Sequence, residues 1–306
     1  MELLTVEKVK KIYKGKKKTL VKAVDDVSFT IEKGKCIGLV GESGCGKSTL
    51  GRLITGLEKT TEGHILWKNI PVDKITRKSP MRREIQMVFQ NSFEAVNPKL
   101  KAKDIIAEPL KNFYHLSGKD LEKSIDELLG WVGIDLTEKE KYPRQFSGGQ
   151  LQRICIARML ASDPELLVLD EPLSSLDVSV QAQILNLFAD LKGKLSLTYL
   201  LISHDLEAVY YLSDEILIMY GGKIMEHIKK IEDFDKLKHP YTQRLLMSSF
   251  SYRHQYEEVS EAYREKPCED GCPYYQRCSY ATGQCKEEMP TLRETEKGHF
   301  IACWRR

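Results

Sequence analysis

Through the first 35 or so residues apolar and polar positions alternate, with Leu4, Val6, Val9 and Ile12 followed by Val27, Phe29 and Ile31. This is the two-residue period of half-buried strands, and it predicts strands joined by a basic loop at Lys14-Gly15-Lys16-Lys17-Lys18, itself a solvated turn. Short unbroken apolar runs follow at Cys36–Val40, Leu166–Leu169, Tyr199–Ser203 and Glu215–Met219. Runs of this length predict strands buried on both faces, as in a parallel sheet, separated by helices such as Val178–Lys192. Between about residues 91 and 160 the spacing becomes helical, clearest at Ile105–Leu110 and Leu121–Val132, which suggests a helical subdomain inserted into an α/β core. After about residue 235 the chain shifts to Lys, Tyr and Cys with few long apolar runs, so the expected division is 1–235 and 236–306.

One of these runs leads into Gly41-Glu42-Ser43-Gly44-Cys45-Gly46-Lys47-Ser48, a complete G-x-x-x-x-G-K-[ST] phosphate-binding loop. Its context is the required one, a strand before it and the helical spacing of Thr49–Ile54 after it. Glycines let backbone N–H groups turn inward around phosphate oxygens, and the helix N-terminus adds its positive end. Lys47 would reach the β- and γ-phosphates, and the Ser48 hydroxyl would coordinate Mg²⁺.

Composition narrows the alternatives. At 306 residues, with 42% hydrophobic and 30% charged residues, the chain suits a soluble globular protein of one large domain and a smaller appendage. A net charge of +3 is too small to point to nucleic acid as a main partner. No apolar run approaches the ~18–20 residues that span a bilayer, and Met1–Thr5 lacks a signal-peptide pattern. The expectation is a cytosolic chain whose membrane role, if any, comes through a partner. Of the eight cysteines, Cys36, Cys45 and Cys155 are scattered, whereas Cys268, Cys272, Cys278, Cys285 and Cys303 crowd the last 39 residues. In a reducing compartment such a cluster points to metal or redox chemistry rather than disulfides.

Three further features sharpen the phosphate-loop reading. The run Leu166–Leu169 ends in Asp170 and Glu171; beside a phosphate loop, Asp170 suits a Mg²⁺ ligand acting through water, and Glu171 is placed to orient or deprotonate an attacking water. Ser147-Gly148-Gly149-Gln150 opens a second helix N-terminus able to bind an anion. One nucleotide cannot use both loops within one compact fold if the insert holds them apart, so the economical arrangement is two chains paired head to tail over two shared sites. His204 ends the strand Tyr199–Ser203 at the edge where ligands of parallel sheets sit.

This set, in this order, resembles the ATP-binding subunits of ABC transporters over roughly residues 1–235. The resemblance implies an α/β P-loop nucleotide-binding domain with a mainly parallel sheet, N-terminal antiparallel strands and a helical subdomain. It implies that Gly41, Ser43, Gly44, Cys45, Gly46, Lys47, Ser48 and Thr49 hold ATP phosphates, that Ser48, Gln90 and Asp170 serve Mg²⁺, and that Glu171, His204 and Gln90 are catalytic. Ser147, Gly148, Gly149 and Gln150 become the signature motif, with Phe146 where many members have Leu. Ser175-Leu176-Asp177 becomes the D-loop, and Tyr13 sits where the family stacks an aromatic residue on adenine. The implied partners are a second, related ATPase chain, two transmembrane permease subunits and, indirectly, a solute-binding protein, at the cytoplasmic face of the membrane. Gln90 and the helical insert would carry dimer closure to the permease.

The tail resembles one branch in particular. His239-Pro240-Tyr241-Thr242-Gln243-Arg244-Leu245-Leu246 and the stretch Gly271–Cys278, with Cys285, Pro290-Thr291-Leu292 and Gly298–Cys303, are similar to the carboxyl extension of oligopeptide and dipeptide importer ATPases, a branch that includes nickel importers. Asn91-Ser92 departs from the branch's usual Asp-Pro. The spacing C-x5-C-x6-C-x17-C is not a short zinc knuckle. The resemblance implies a [4Fe–4S] cluster on Cys272, Cys278, Cys285 and Cys303, with Cys268 in reserve; zinc and free thiols stay open as alternatives.

Overall fold

A computed structural model describes residues 1–15, 19–76, 79–174, 176–250 and 270–305, without the side chains of residues 248–250. Lys16–Lys18 of the expected basic loop, Ser175 and Cys268 lie outside these residues.

The chain begins with β1 (Glu2–Lys14), β2 (Leu20–Glu32), β3 (Cys36–Val40), α1 (Lys47–Ile54), β4 (Glu62–Trp67), β5 (Ile70–Pro71) and β6 (Ile85–Val88). A helical layer follows, α2 (Ala102–Tyr114), α3 (Gly118–Trp131) and α4 (Gly148–Leu160), then β7 (Leu166–Asp170), α5 (Val178–Leu195), β8 (Thr198–Ser203), α6 (Leu206–Leu212), β9 (Glu215–Tyr220) and β10 (Lys223–Ile228). The last elements are α7 (Pro240–Phe250), α8 (Gly283–Glu287), β11 (Arg293–Glu296) and β12 (His299–Ile301).

Two sheets result. The N-terminal strands form an antiparallel sheet in the order β2-β1-β4-β5, and the remainder form a larger sheet in the order β11-β12-β10-β9-β3-β8-β7-β6. The five strands β9, β3, β8, β7 and β6 run parallel, and β10, β12 and β11 continue the sheet antiparallel at one edge. Each apolar run of the core divides strictly between two apolar clusters. Cys36, Val40, Leu167, Leu169, Tyr199, Leu201, Ile216 and Ile218 face the helical layer. Ile37, Leu39, Leu166, Val168, Leu200, Ile202, Leu217 and Met219 face α1 and the antiparallel sheet. Both faces being covered is the reason these strands read as unbroken apolar runs. Each of the fully buried aliphatic side chains contributes roughly 1.5–3 kcal/mol of burial.

The clearest expected helices are present and longer than their apolar cores, Ile105–Leu110 lying within α2 and Leu121–Val132 covering most of α3, which ends one residue earlier at Trp131 with Val132 as its cap. The strands the pattern did not announce have local causes. β4 carries Gly63 at φ +76, which breaks its alternation, and β6 has only four residues. β10 buries a carboxylate: Glu226, 0% exposed, accepts from the backbone N–H groups of Lys238 (2.7 Å) and His239 (3.1 Å) and pairs with His299 Nε2 (2.8 Å). Three partners satisfy a charge that burial alone would make costly, and they tie β10, the entry to α7 and β12 together. Residues beyond 235 thus extend the main sheet, and Cys272 and Tyr274 sit in the same apolar cluster as the helical layer.

Candidate nucleotide site

Parallel register brings four strand ends to one edge. Val40 of β3 pairs with Ser203 of β8, Asp170 of β7 with Ile202 of β8, and Val88 of β6 with Leu169 of β7. The residues that follow, Gly41, His204, Glu171 and the Phe89-Gln90 pair, therefore emerge side by side. Ligands of open α/β sheets bind at this carboxyl edge.

The phosphate loop leaves β3 and enters α1 through Gly46, whose φ of +112 suits only glycine; a Cβ there would lie 2.0 Å from the Ala23 carbonyl oxygen. Ser43 and Gly44 form the open lip, while Cys45 and Thr49 are buried. Lys47 is 4% exposed, and its Nζ donates to the carbonyls of Gly41 (2.6 Å) and Glu42 (3.0 Å). Ser48 Oγ donates to Asp170 Oδ1 at 2.8 Å. Asp170 is 7% exposed, and this desolvation holds its carboxyl above the usual range against the opposing pull of the Ser48 hydrogen bond. Two hard oxygen donors at this spacing fit Mg²⁺.

Glu171 adopts φ +46, a conformation uncommon outside glycine, with its N–H donating to the Ile202 carbonyl at 2.9 Å. The turn aims its carboxylate at two partners. Gln90 Nε2 donates to Glu171 Oε2 at 3.3 Å, and His204 Nδ1 stands 3.4 Å from the same oxygen. Tyr13 lies farther out, where its hydroxyl donates to Glu58 Oε2 (2.5 Å), a carboxylate that also accepts from Arg52 of α1. Lys11 Nζ sits 5.0 Å from the centre of the Tyr13 ring.

The second anion-binding candidate lies elsewhere, in the helical layer. Ser147 caps α4: its Oγ accepts from Gln150 N–H (3.3 Å), and Gln150 Oε1 accepts from Ser147 N–H (3.0 Å). Such a capping box is sufficient reason for both residues to be there. Gly149 allows close packing on α5, since a Cβ would meet Val180 Cγ1 at 2.3 Å, and Gly148 has Leu176 as its nearest neighbour. Asp177 caps α5 by accepting from Val180 N–H at 3.1 Å. Among the described residues no hydrogen bond or ion pair links Ser147–Gln150 to Gly41–Ser48.

The cysteines form a separate place. Cys272, Cys278, Cys285 and Cys303 are free and line one cavity of about 380 Å³, with His239 and Tyr274. Burial pushes the Cys272 thiol up to about 11. Among the described residues, no three His, Cys, Asp or Glu side chains converge closely enough to hold a metal ion. Neither the expected iron–sulfur cluster nor the zinc alternative therefore has an assembled ligand set among the described residues.

Two residues that the motif reading gave no role, Tyr241 and Arg277, reach the phosphate loop at Glu42 from 199 and 235 positions away. No spacing rule could have signalled them.

A glycine-rich phosphate loop, a hydroxyl–carboxylate pair beside it and a second carboxylate held by Gln and His define a P-loop nucleoside triphosphatase. The comparisons narrow the class. The ABC transporter family matches residues 24–174, and the oligopeptide/dipeptide transporter C-terminal region matches 225–285. The oligopeptide transport ATP-binding protein AppF of Bacillus subtilis is 45% identical, covering 92% of this chain and 89% of its own. The dipeptide transport ATP-binding protein DppF of Haemophilus influenzae is 41% identical over 99% of this chain and 96% of its own. Among solved structures, the ATP-binding cassette MJ0796, a dimer in a post-hydrolysis state bound to ADP and Pi, superposes with a TM-score of 0.68 at 29% identity, over 75% of this chain and 99% of that one. The chain belongs to the ATP-binding proteins of oligopeptide and dipeptide ABC transporters.

Proposed function

We propose that the chain is the ATP-hydrolysing subunit that energises a peptide importer. The observation that carries the reading is the convergence of Gly41–Ser48, Asp170, Glu171, Gln90 and His204 on adjacent strand ends. Lys47, held by two loop carbonyls, is poised to meet the β- and γ-phosphates, and Ser48 with Asp170 would hold Mg²⁺, which would neutralise phosphate charge. Glu171, steadied by Gln90 and His204, orients and deprotonates the attacking water. No hydrogen bond or ion pair among the described residues joins Ser147–Gln150 to this site, which supports completion of the site head to tail by a second ATPase chain; a related but different chain is the expected partner. Closure over ATP and opening after hydrolysis form an order-to-disorder switch of known type.

No helix among the described residues is long and apolar enough to cross a membrane. Attachment to the cytoplasmic face of the membrane then falls to two permease subunits, with a solute-binding protein beyond them. A groove of about 310 Å³ supports a docking site; Gln90 follows its wall residue Phe89, and Phe113, Arg82, Glu108 and Arg158 line the rest. Phe89 and Phe113, 40% and 36% exposed, offer apolar contact where a permease helix would transmit closure.

For the tail we propose a [4Fe–4S] cluster on Cys272, Cys278, Cys285 and Cys303, making 236–306 a structural extension of the 1–235 ATPase unit. Support comes from the shared cavity and from cluster chemistry. The four thiolates would hold the cluster together, each on a different iron. Iron and sulfide near four per chain in anaerobically purified protein would support the cluster; absence of iron would end this part of the reading.

The main test is the Glu171→Gln variant, assembled with the permease and partner ATPase in liposomes. It should bind MgATP yet hydrolyse it about 10²–10⁴-fold more slowly, the usual contribution of a general base. Turnover near wild type would refute the assignment.

A further inference from the structure

The phosphate loop is held from outside the ATPase motifs. The Glu42 N–H donates to Tyr241 Oη at 2.8 Å, and the Glu42 carboxylate accepts from Arg277 Nη1 at 2.7 Å. The carbonyl of the same residue is one of the two that hold Lys47 Nζ. All three polar groups of Glu42 are thus engaged, two by the tail and one by the lysine that meets phosphate.

The supporting residues are themselves fixed. Tyr241 is fully buried, with ring centres 4.6 Å from Tyr220 and 5.3 Å from Tyr274. The Arg277 guanidinium lies 5.8 Å from both the Tyr220 and Tyr274 rings and donates to Tyr220 Oη at 3.3 Å. Aromatic packing and cation–π attraction pre-order both donor and acceptor. A third link passes through the β9–β10 turn. Pro273 sits against Gly221, where a Cβ would approach it to 2.8 Å, and the N–H of the next residue, Gly222, donates to the Cys45 carbonyl at 3.0 Å. Arg277 immediately precedes Cys278, and Tyr274 follows Cys272 by two positions, so the segment that lines the cysteine cavity is the one that braces the loop.

We propose that Tyr241 and Arg277 are positioning residues for the phosphate loop, through which the order of segment 272–278 sets the affinity for ATP. The inference rests on the nucleotide reading above and deepens it. Neither residue touches nucleotide; each acts through Glu42 and, beyond it, Lys47. Reciprocity requires that bound nucleotide stabilise the same segment by the same factor.

The test measures MgATP affinity with a fluorescent ATP analogue on the full chain, carrying Glu171→Gln to block hydrolysis. Tyr241→Phe leaves a loop N–H without its acceptor and should weaken binding about ten-fold. Arg277→Ala removes a half-exposed ion pair and should weaken it about three-fold, with Arg277→Lys restoring most of the loss. In the assembled transporter with Glu171 intact, KM for ATP should rise with kcat unchanged. In a Glu42→Ala background, Arg277→Ala should have no further effect, because the carboxylate that Arg277 meets is already gone. Wild-type affinity in both Tyr241→Phe and Arg277→Ala overturns the proposal. An equal loss for Arg277→Ala in the Glu42→Ala background does too, since the residue would then act through general folding. If the parent chain binds no ATP, the function reading fails instead.

Discussion

Asp170 offers a case where stability and function should separate. Asp170 is 7% exposed, and among the described residues its carboxylate accepts a 2.8 Å hydrogen bond from Ser48 Oγ. Burial outweighs that bond and holds the folded-state carboxyl above its unfolded value. The sign is that of a destabilising group. Stability is highest where both states are protonated and falls as pH rises from the unfolded value through the folded one. Asp170→Asn keeps an oxygen to accept from Ser48 and removes the buried charge. In nucleotide-free protein at pH 7 the variant should match or exceed wild-type stability in urea unfolding, against the usual loss of about 1 kcal/mol for a point mutation. With MgATP at 100 times its Kd, a hydrolysis-deficient parent should gain about 2.7 kcal/mol. The variant should lose most of that gain when Mg²⁺ is present and little when Mg²⁺ is chelated. A nucleotide-free Asp170→Asn protein less stable than wild type by more than about 1 kcal/mol would refute the desolvation argument.

Gly46→Ala forces a side chain at φ +112 to within 2.0 Å of the Ala23 carbonyl, so equilibrium binding should show ATP affinity reduced by more than about ten-fold. Gly149→Ala drives a methyl into Val180 Cγ1 at 2.3 Å; it should shift α4 against α5, cost about 1–3 kcal/mol in denaturant unfolding and impair ATP-dependent dimerisation, read by light scattering. His239, 2% exposed, accepts from the Tyr241 N–H at Nδ1, and burial lowers its pKa from 6.5 to about 4. The unfolded chain then binds the extra proton, so this contribution is complete above about pH 6.5 and is lost as pH falls toward 4. It amounts to about 3 kcal/mol over that window; unfolding curves of His239→Asn should be flatter there, and parallel curves would exclude the effect.

Legibility in the sequence followed the physics of each part. The phosphate loop announced itself because its glycines and its strand–loop–helix setting are local requirements, all met within about twenty residues. β3, β7, β8 and β9 were legible because burial on both faces leaves no polar position to confuse the pattern. The order of those strands was not, since the register that sets Val40 beside Ser203 and Asp170 beside Ile202 is a property of pairing between segments far apart in the chain. The resemblance supplied what periodicity could not: it named Gln90, and it gave a catalytic role to His204, which its strand end had already marked; the fold places both on one oxygen of Glu171.

The tail shows the limit most sharply. Its cysteines stand out by count, whereas the contacts that reach the ATP loop are made by residues of ordinary type, a tyrosine on α7 and an arginine beside Cys278. Their meaning exists only once β10 and β12 extend the sheet and set residues 272–278 against the β9–β10 turn. A loop that turns most of its N–H groups toward a ligand has few left to hold itself together, so its outward side needs partners from elsewhere. Here Glu42 turns that side toward Tyr241 and Arg277. The same need exists in any phosphate loop; which distant residues meet it is decided by topology rather than motif, and only the folded chain discloses them.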